Sequence, residues 1–179
     1  VQTIQHGVEA YKIASELKAA NVAAAVWSDW GAFKMEAYDA TKYNVRILME
    51  AGVLVSLHSD DSQIASRMNW EAGKLLRTGL TEAQALSTVT INPAKILAID
   101  TRVGSLEPGK DADFVVWSGN PLSQFTKAEQ TWIDGRRYFS LEEDAKRREQ
   151  VENERRQLIQ AVLSAGNRQR NRTATETRN

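Results

Sequence analysis

The chain has 179 residues, of which 42% are hydrophobic and 26% charged, and 23 basic residues balance 23 acidic ones. These values are typical of a globular chain of one domain or slightly more. They leave no net charge that would draw it to nucleic acid or to an anionic membrane. The absence of cysteine excludes disulfides, zinc fingers and thiol nucleophiles.

The N-terminus and the hydrophobic runs leave the compartment open between bacterial cytoplasm and periplasm. No run approaches the roughly 20 apolar residues of a membrane helix, so no membrane span is expected. The first residues, VQTIQHG, show no basic region and no cleavage pattern of a signal peptide. They begin inside a β-prone stretch, which suggests a segment whose beginning lies elsewhere.

The first part of the chain alternates strand-like and helix-like patterns. The strand-like runs are continuously hydrophobic, as in a parallel sheet that is covered on both faces. Alternating units of this size indicate a βα-barrel or a doubly wound sheet. The predicted strands cover residues 1–5, 22–27 and 53–58, and the predicted helices cover residues 9–20, 37–51 and 63–78.

Shorter elements follow. Thr81 and Gln84 have the spacing of a capping box, which predicts a short helix over 81–87. Pro93 predicts the first turn of a helix over 94–99. Beyond residue 100, Gly and Pro residues separate short strands of a small antiparallel unit, predicted at 112–117, 131–133 and 137–139.

The C-terminal part is predicted to be a hairpin followed by a long helix. Asp134-Gly135 is a hairpin turn sequence. The charged stretch that follows predicts a helix over 141–165 with a weak apolar stripe, and residues 166–179 are predicted to be a disordered tail.

Polar side chains follow each of the three predicted parallel strands. They are His6, the pair Ser28-Asp29, and the group His58, Asp60 and Asp61. In a βα-barrel the chemistry lies at this carboxyl end of the strands, and imidazole with carboxylate suits Zn²⁺ or a similar ion. Structural alternatives stay open at this point, because a histidine after a strand is often a hydrogen-bonded structural residue and Ser-Asp is often a helix N-cap.

Five stretches carry a resemblance to a known family. They are QHGVEAYKIASEL, SDWGAFKMEAYDATKYN, GVLVSLHSDD, TEAQALSTVTINPAKILAID and VGSLEPGKDADFVVWSGNPL, which together cover roughly residues 1–140 in order. The chain resembles the C-terminal half of metal-dependent amidohydrolases, in the branch of imidazolonepropionases and Xaa-Pro dipeptidases. The last stretch, Gly-x-Leu-x-Pro-Gly-x-x-Ala-Asp after NPAK, is the most specific.

The resemblance implies a (β/α)8 barrel that carries one or two divalent metals, zinc above all, and a small β-sandwich. Residues 1–99 would be the last three barrel strands and helices, and residues 100–140 a β-sandwich segment. His6 looks like the metal-binding histidine of the sixth strand. Asp60 looks like the aspartate of the eighth strand, which binds the metal and carries the proton of the attacking water to the leaving amine.

The resemblance also points to residues that would contact a small-molecule or short peptide substrate. The loop 28–38 would line the pocket, with Trp30, Lys34 and Tyr38 as substrate contacts, although packing against the barrel rim would explain them equally well. Asp61 would either cap a helix or touch substrate, and His58 receives no catalytic role. Trp27 fits packing better than catalysis.

The chain departs from the family pattern because the first five strands and their metal ligands have no counterpart. Two ligands are too few for a tight zinc site, and three βα units leave sheet edges open. The sequence therefore predicts that this chain alone, without the N-terminal half of the barrel, is inactive. It also predicts a poorly stable chain unless that half, supplied by another polypeptide, or self-association covers these surfaces. The alternative is a non-catalytic truncated barrel that serves as an assembly or binding module through the helix over 141–165. A third interpretation, a flavodoxin-like nucleotide binder, is disfavoured because this sequence has no Gly-rich phosphate loop after a strand.

Overall fold

The computed structural model describes residues 2–32 and 34–176, with side chains up to residue 166. Its first part contains a three-stranded parallel sheet in the order β1-β2-β3. The central strand is buried from Ala23 to Val26, as expected for the continuous apolar run VAAAV. The strands are β1 (Gln2–Gln5), β2 (Val22–Val26) and β3 (Val55–Leu57).

Short helices connect and cover these strands, so the fold is mixed α/β. The segment after β1 starts as a 3-10 turn over Ala10–Ile13 and ends at Asn21, which has the left-handed backbone (φ 52°) common at helix ends. The predicted helices over 37–51 and 63–78 are each broken into shorter pieces. The helices are α1 (Ala14–Ala19), α2 (Asn44–Glu50), α3 (Ser62–Ala65), α4 (Met68–Lys74), α5 (Glu82–Ser87) and α6 (Ile91–Ile96), with further 3-10 turns at Met35–Ala37 and Leu75–Thr78.

The starts of α5 and α6 compare differently with the sequence. The capping box of α5 is confirmed, because the Thr81 hydroxyl accepts from the backbone N–H of Gln84 and the Gln84 side chain accepts from the backbone N–H of Thr81. The predicted start of the next helix at residue 94 is wrong, because α6 begins at Ile91. Pro93 still lies in the first turn, where its missing N–H costs no hydrogen bond.

The core lies between the parallel sheet and the helices that follow its strands. Its largest fully buried side chains come from both layers, with Val26 and Val55 on the strands and Val45, Leu48 and Leu75 on the helical side. Burial of these side chains fixes how the strands and helices stack. The strand ends that carry the polar residues are therefore attached to the best-packed part of the chain.

The outer edge of β3 is partly covered, which corrects the expectation of an open edge on that side. The backbone N–H of Leu57 donates to the carbonyl of Thr88 (3.0 Å), and the buried side-chain amide of Asn92 donates to the carbonyl of Val55 (2.8 Å). Residues from the α5–α6 region thus take the hydrogen bonds that a neighbouring strand would take.

The second sheet is antiparallel, in the order β4-β5-β6. The predicted hairpin turn is confirmed, since Asp134 (φ 50°) and Gly135 (φ 71°) both adopt the left-handed conformation of a type I′ turn. The strands are β4 (Phe114–Trp117), β5 (Ala128–Ile133) and β6 (Arg136–Ser140).

A single long helix, α7 (Leu141–Glu176), follows β6 directly. It continues past residue 165, where the sequence predicted its end, so this part of the predicted tail is helical; residues 177–179 lie outside the described residues. Up to residue 166, all its side chains but that of Asp144 are exposed. Among the described residues, no helix is both long and apolar enough to cross a membrane.

Candidate functional site

The polar residues after the three parallel strands meet at one edge of the sheet. Gln5 pairs with Ala25 and Val26 pairs with Leu57, so the residues that follow each strand leave the sheet side by side. Since the strands are parallel, all three carboxyl ends lie on the same side. This places His6 beside the residues that follow β3.

His6 and Asp60 come within reach of one another. The distance from His6 Nε2 to Asp60 Oδ1 is 3.6 Å, and both side chains are about half exposed, at 50% and 54%. Both residues also have left-handed backbones, with φ of 56° for His6 and 51° for Asp60. Such a conformation is uncommon for residues other than glycine and is found disproportionately at functional sites.

Aromatic rings at the end of the central strand β2 pack beside the His6–Asp60 pair. Trp27, which follows β2, lies with its ring centroid 5.0 Å from that of His6 and 4.6 Å from that of His58. The two imidazole rings stack on each other at 4.9 Å, and Trp30 stacks on Trp27 at 5.7 Å. Sequence analysis assigned Trp27 to packing, and no motif indicated its place beside both histidines.

His58 lies deeper than His6 at this edge. Its Nε2 is buried and has no hydrogen-bond partner within the part of the chain that the structure describes. Burial, followed by the charge of His6, lowers the pKa of His58 below its ordinary value, and the charge of Asp60 opposes this shift. His58 is therefore neutral over more of the pH range than an exposed histidine.

Asp61 and the Ser28-Asp29 pair are engaged in structural contacts. One carboxylate oxygen of Asp61 accepts from the backbone N–H groups of Gln63 and Ile64 (2.8 and 3.0 Å), so Asp61 is the N-cap of α3. The structural alternative for the Ser28–Asp29 pair, an N-cap of the next helix, is wrong. The pair instead contacts α4 and the turn that follows it.

A polar cluster ties the end of β2 to this helical segment. The Ser28 hydroxyl donates to buried Glu71 (2.5 Å), and Lys74 donates to both Glu71 and Asp29 (3.0 Å each). Arg77 pairs with the other oxygen of Asp29 at 2.9 Å. Sequence reasoning missed this use of Glu71, because nothing local marks which helix residue will face the end of a strand.

A cavity of about 560 Å³ opens beside His6 and Trp27. Of the three predicted substrate contacts, Lys34 lines this cavity, close to Glu36 (4.0 Å between Nζ and Oε1). Trp30 lies in the ring stack, and Tyr38 is 74% exposed and is not among the cavity-lining residues.

The donor set fits a divalent cation in part. Two donors about 2.0–2.2 Å from one tetrahedral ion lie about 3.3–3.6 Å apart, which agrees with the separation of the His6 and Asp60 donor atoms. A zinc site in an enzyme needs three protein ligands, however, and no group of three or more His, Cys, Asp or Glu residues suited to a metal occurs among the described side chains, residues 2–32 and 34–166. The spacing of the His6 and Asp60 donor atoms is thus compatible with two ligands of one ion.

A family model described as the amidohydrolase family matches residues 4–138, which include both candidate ligands and most of both sheets. The chain belongs to the amidohydrolase family. This match confirms the resemblance found in the sequence, and it ends before α7 begins.

Individual relatives agree with the family. The chain is 36% identical over 118 residues to the amidohydrolase tasK of Hapsidospora irregularis, covering 65% of this chain and 12% of that protein. It is 58% identical over 49 residues to the imidazolonepropionase of Shewanella frigidimarina, covering 27% of this chain and 12% of that protein. The chain thus spans a small part of these curated relatives.

Solved structures share the fold. The crystal structure of an amidohydrolase from Thermotoga maritima aligns with a TM-score of 0.73 and 38% identity, covering 77% of this chain and 37% of the other. A Xaa-Pro dipeptidase structure aligns with a TM-score of 0.53 and 24% identity, covering 77% of this chain and 40% of the other, and so indicates the fold alone.

Proposed function

We propose that this chain is part of a metal-dependent amidohydrolase that hydrolyses a C–N bond in an amide, a peptide or a cyclic amide. The observation that carries the proposal is the 3.6 Å approach of His6 Nε2 and Asp60 Oδ1 at the carboxyl ends of β1 and β3. Family membership over residues 4–138 supports a hydrolase. The proposal assigns His6 as a metal ligand, and Asp60 as a metal ligand and proton carrier.

Each residue has a distinct chemical role in this proposal. A divalent cation, zinc above all, would polarise the scissile carbonyl and acidify the attacking water. The second oxygen of Asp60 takes the proton of that water and delivers it to the leaving amine nitrogen. Half exposure of Asp60 suits this role, because the carboxylate is open to water and substrate on one side.

The cavity beside His6 is the proposed place for the substrate. Lys34 lies on its lining and offers an ammonium group toward a polar part of a small molecule or short peptide. Trp30 and Tyr38 stay proposed contacts from the same loop. An imidazolonepropionase among the relatives supports cyclic amides as one substrate class to assay.

We assign residues 1–99 to the last three βα units of a (β/α)8 barrel and residues 100–140 to a segment of a β-sandwich. Parallel pairing of β1, β2 and β3 supports the first assignment, and the antiparallel sheet supports the second. We place the C-terminal helix outside both units. Further metal ligands would come from a polypeptide segment beyond the described residues, so the chain by itself is expected to be inactive.

Metal binding tests the proposal with a closely matched control. The proposed ligand Asp60 is followed by Asp61, another carboxylate at the same strand end, whose role is that of a helix cap. Asp60→Asn removes a ligand charge, while Asp61→Asn keeps a good N-cap, since asparagine caps as well as aspartate. Titration of each purified protein with Zn²⁺ or Co²⁺ measures how each substitution changes the affinity for the ion.

Because two protein ligands hold an ion only weakly, the expected result is weak binding of the probe ion to the wild-type chain. This affinity falls at least about tenfold in Asp60→Asn and in His6→Asn, and Asp61→Asn leaves it within about twofold. Equal affinities for wild type and Asp60→Asn would end the metal-site proposal. Protein that binds no ion and forms oligomers would instead favour the alternative function, a non-catalytic assembly or binding module. The exposed length of α7 is the observation that favours this alternative.

A further inference from the structure

We infer that Trp27 is a positioning residue that holds His6 and Asp60 in their mutual geometry. This inference rests on the proposed function, because the pair that it positions is the proposed metal-binding pair. Trp27 follows the central strand β2, between the strand that leads to His6 and the strand that leads to Asp60. It is 9% exposed, so its ring has little freedom to move.

The first contact of Trp27 is with the imidazole of His6. The two rings are stacked, with centroids 5.0 Å apart and an angle of 24° between their planes. An imidazole that lies flat against a fixed indole cannot rotate freely about χ2, so Trp27 limits the direction in which Nε2 of His6 points. His58 stacks on His6 as well, at 4.9 Å, and itself lies 4.6 Å from Trp27.

The second contact reaches the other member of the pair through the backbone. Trp27 Nε1 donates a long hydrogen bond, 3.4 Å, to the carbonyl oxygen of Ser59. That carbonyl belongs to the peptide unit that joins Ser59 to Asp60. Restraining this peptide plane restrains the left-handed backbone of Asp60 (φ 51°), a conformation that is uncommon for residues other than glycine.

Trp27 is itself anchored. The next residue, Ser28, donates to the buried carboxylate of Glu71, which also binds Lys74. These bonds attach the backbone after β2 to α4, one residue beyond Trp27. Trp27 therefore contacts both the imidazole of His6 and the backbone that leads to Asp60. The backbone next to Trp27 is itself bonded to α4, which limits its movement.

The alternative is that Trp27 only fills space in the core. Both readings predict a less stable protein when the ring is removed, so stability does not separate them. They differ in what happens to the two candidate ligands in protein that stays folded. The chain contains only two histidines, so their imidazole resonances report on the site without ambiguity.

The experiment compares Trp27→Phe, which keeps an aromatic face but lacks the N–H, with Trp27→Leu, which lacks both. Trp117→Leu, in the antiparallel sheet, is the matched control for loss of an indole. In metal-free protein, NMR measures how far the His6 imidazole resonances move when Asp60→Asn is added to each background. We expect a clear movement in wild type and in Trp117→Leu, a reduced one in Trp27→Phe, and none in Trp27→Leu.

Affinity for Zn²⁺ gives the second readout. We expect a loss of about tenfold in Trp27→Leu, partial recovery in Trp27→Phe, and no change in Trp117→Leu. An unchanged His6 response to Asp60→Asn in folded Trp27→Leu would overturn the inference. Should Trp27→Leu fail to fold, an unreduced response in Trp27→Phe would overturn it equally.

The two proposals can fail separately. If wild-type protein binds no Zn²⁺ while the His6 resonances respond to Asp60→Asn only when Trp27 is present, the proposed metal function fails and the positioning role stands. If Zn²⁺ binds and depends on Asp60 but not on Trp27, the function stands and the positioning role fails.

Discussion

The two sheets of this chain are built differently. In the parallel sheet, the central strand β2 is buried from Ala23 to Val26, whereas in the antiparallel sheet the middle residues of β4, Val115 and Val116, are exposed. In the helix that follows the second sheet, every side chain up to residue 166 except that of Asp144 is exposed. Packing thus concentrates in the part of the chain whose strand ends carry His6 and Asp60.

This difference in packing determines which part of the chain can hold side chains in a fixed geometry. A pair of polar groups keeps a fixed separation only when the backbones that carry them are held by a packed core. The parallel part provides such a core, while α7 depends on local ion pairs such as Lys146–Glu142 and Arg148–Asp144, which contribute little on an exposed surface. Matched substitutions in the two parts can test this contrast.

Leu48→Ala and Leu158→Ala make the same chemical change in the two parts. Leu48 is fully buried (0% exposed) in the core, and Leu158 is 68% exposed on α7. Loss of the Leu48 side chain leaves a cavity and is expected to lower the free energy of unfolding by about 2–5 kcal/mol. For Leu158 we expect a change within about 0.5 kcal/mol. Urea denaturation followed by circular dichroism measures both, and similar losses would contradict the contrast.

Gly73→Ala and Gly166→Ala form a second matched pair. A Cβ on Gly73, in α4, would meet the backbone carbonyl oxygen of Leu122, whereas a Cβ on Gly166, in α7, would meet nothing within 4 Å. Backbone must move in the first case, so we expect destabilisation of about 1–3 kcal/mol. In the second case alanine favours the helix by about 0.5–1 kcal/mol. Helical content by circular dichroism and the unfolding midpoint should therefore both decrease in Gly73→Ala and both increase in Gly166→Ala.

Asn92→Ala tests the covered edge of β3. The Asn92 amide is buried and bonds to the carbonyl of Val55, so its loss leaves a buried acceptor unpaired and is expected to cost about 1–2 kcal/mol. Asn153→Ala is the control, since Asn153 is exposed on α7 with Arg156 as its partner. Faster hydrogen exchange at the amide of Leu57 in Asn92→Ala would show that the loss of stability arises at the outer edge of β3. Unchanged exchange at this amide would contradict the proposed role of Asn92 in covering that edge.

Much of the parallel part could be predicted because its information is local. The apolar runs and the residues after them indicate parallel strands whose carboxyl ends share one edge, and that rule alone brings His6 near Asp60. The same holds for the capping residue Thr81 and the turn at Asp134-Gly135, where two or four adjacent residues determine the structure.

The remaining features depend on contacts between distant residues. The place of Trp27 beside both imidazoles follows from how the three strand ends lie together, and the contact of Glu71 with Ser28 follows from how α4 lies against the sheet. No local pattern records either contact. The early start of α6 at Ile91 has the same origin, because Asn92 in its first turn bonds to a strand far away in sequence. Helix α7 continues beyond its predicted end without an apolar stripe to mark it.

The pH dependence of His58 gives the smallest expected effect and separates the causes that act at the site. Burial and the charge of His6 lower the pKa of His58 below its ordinary value of 6.5, and the charge of Asp60 raises it. Because the folded-state pKa lies below the unfolded one, protons bind the unfolded chain more readily, and the stability present above pH 6.5 is lost as the pH falls. NMR titration should give a pKa for His58 that decreases further in Asp60→Asn and increases in His6→Asn. Shifts of the same sign in both variants would mean that changes in packing, not the two charges, control the pKa of this imidazole.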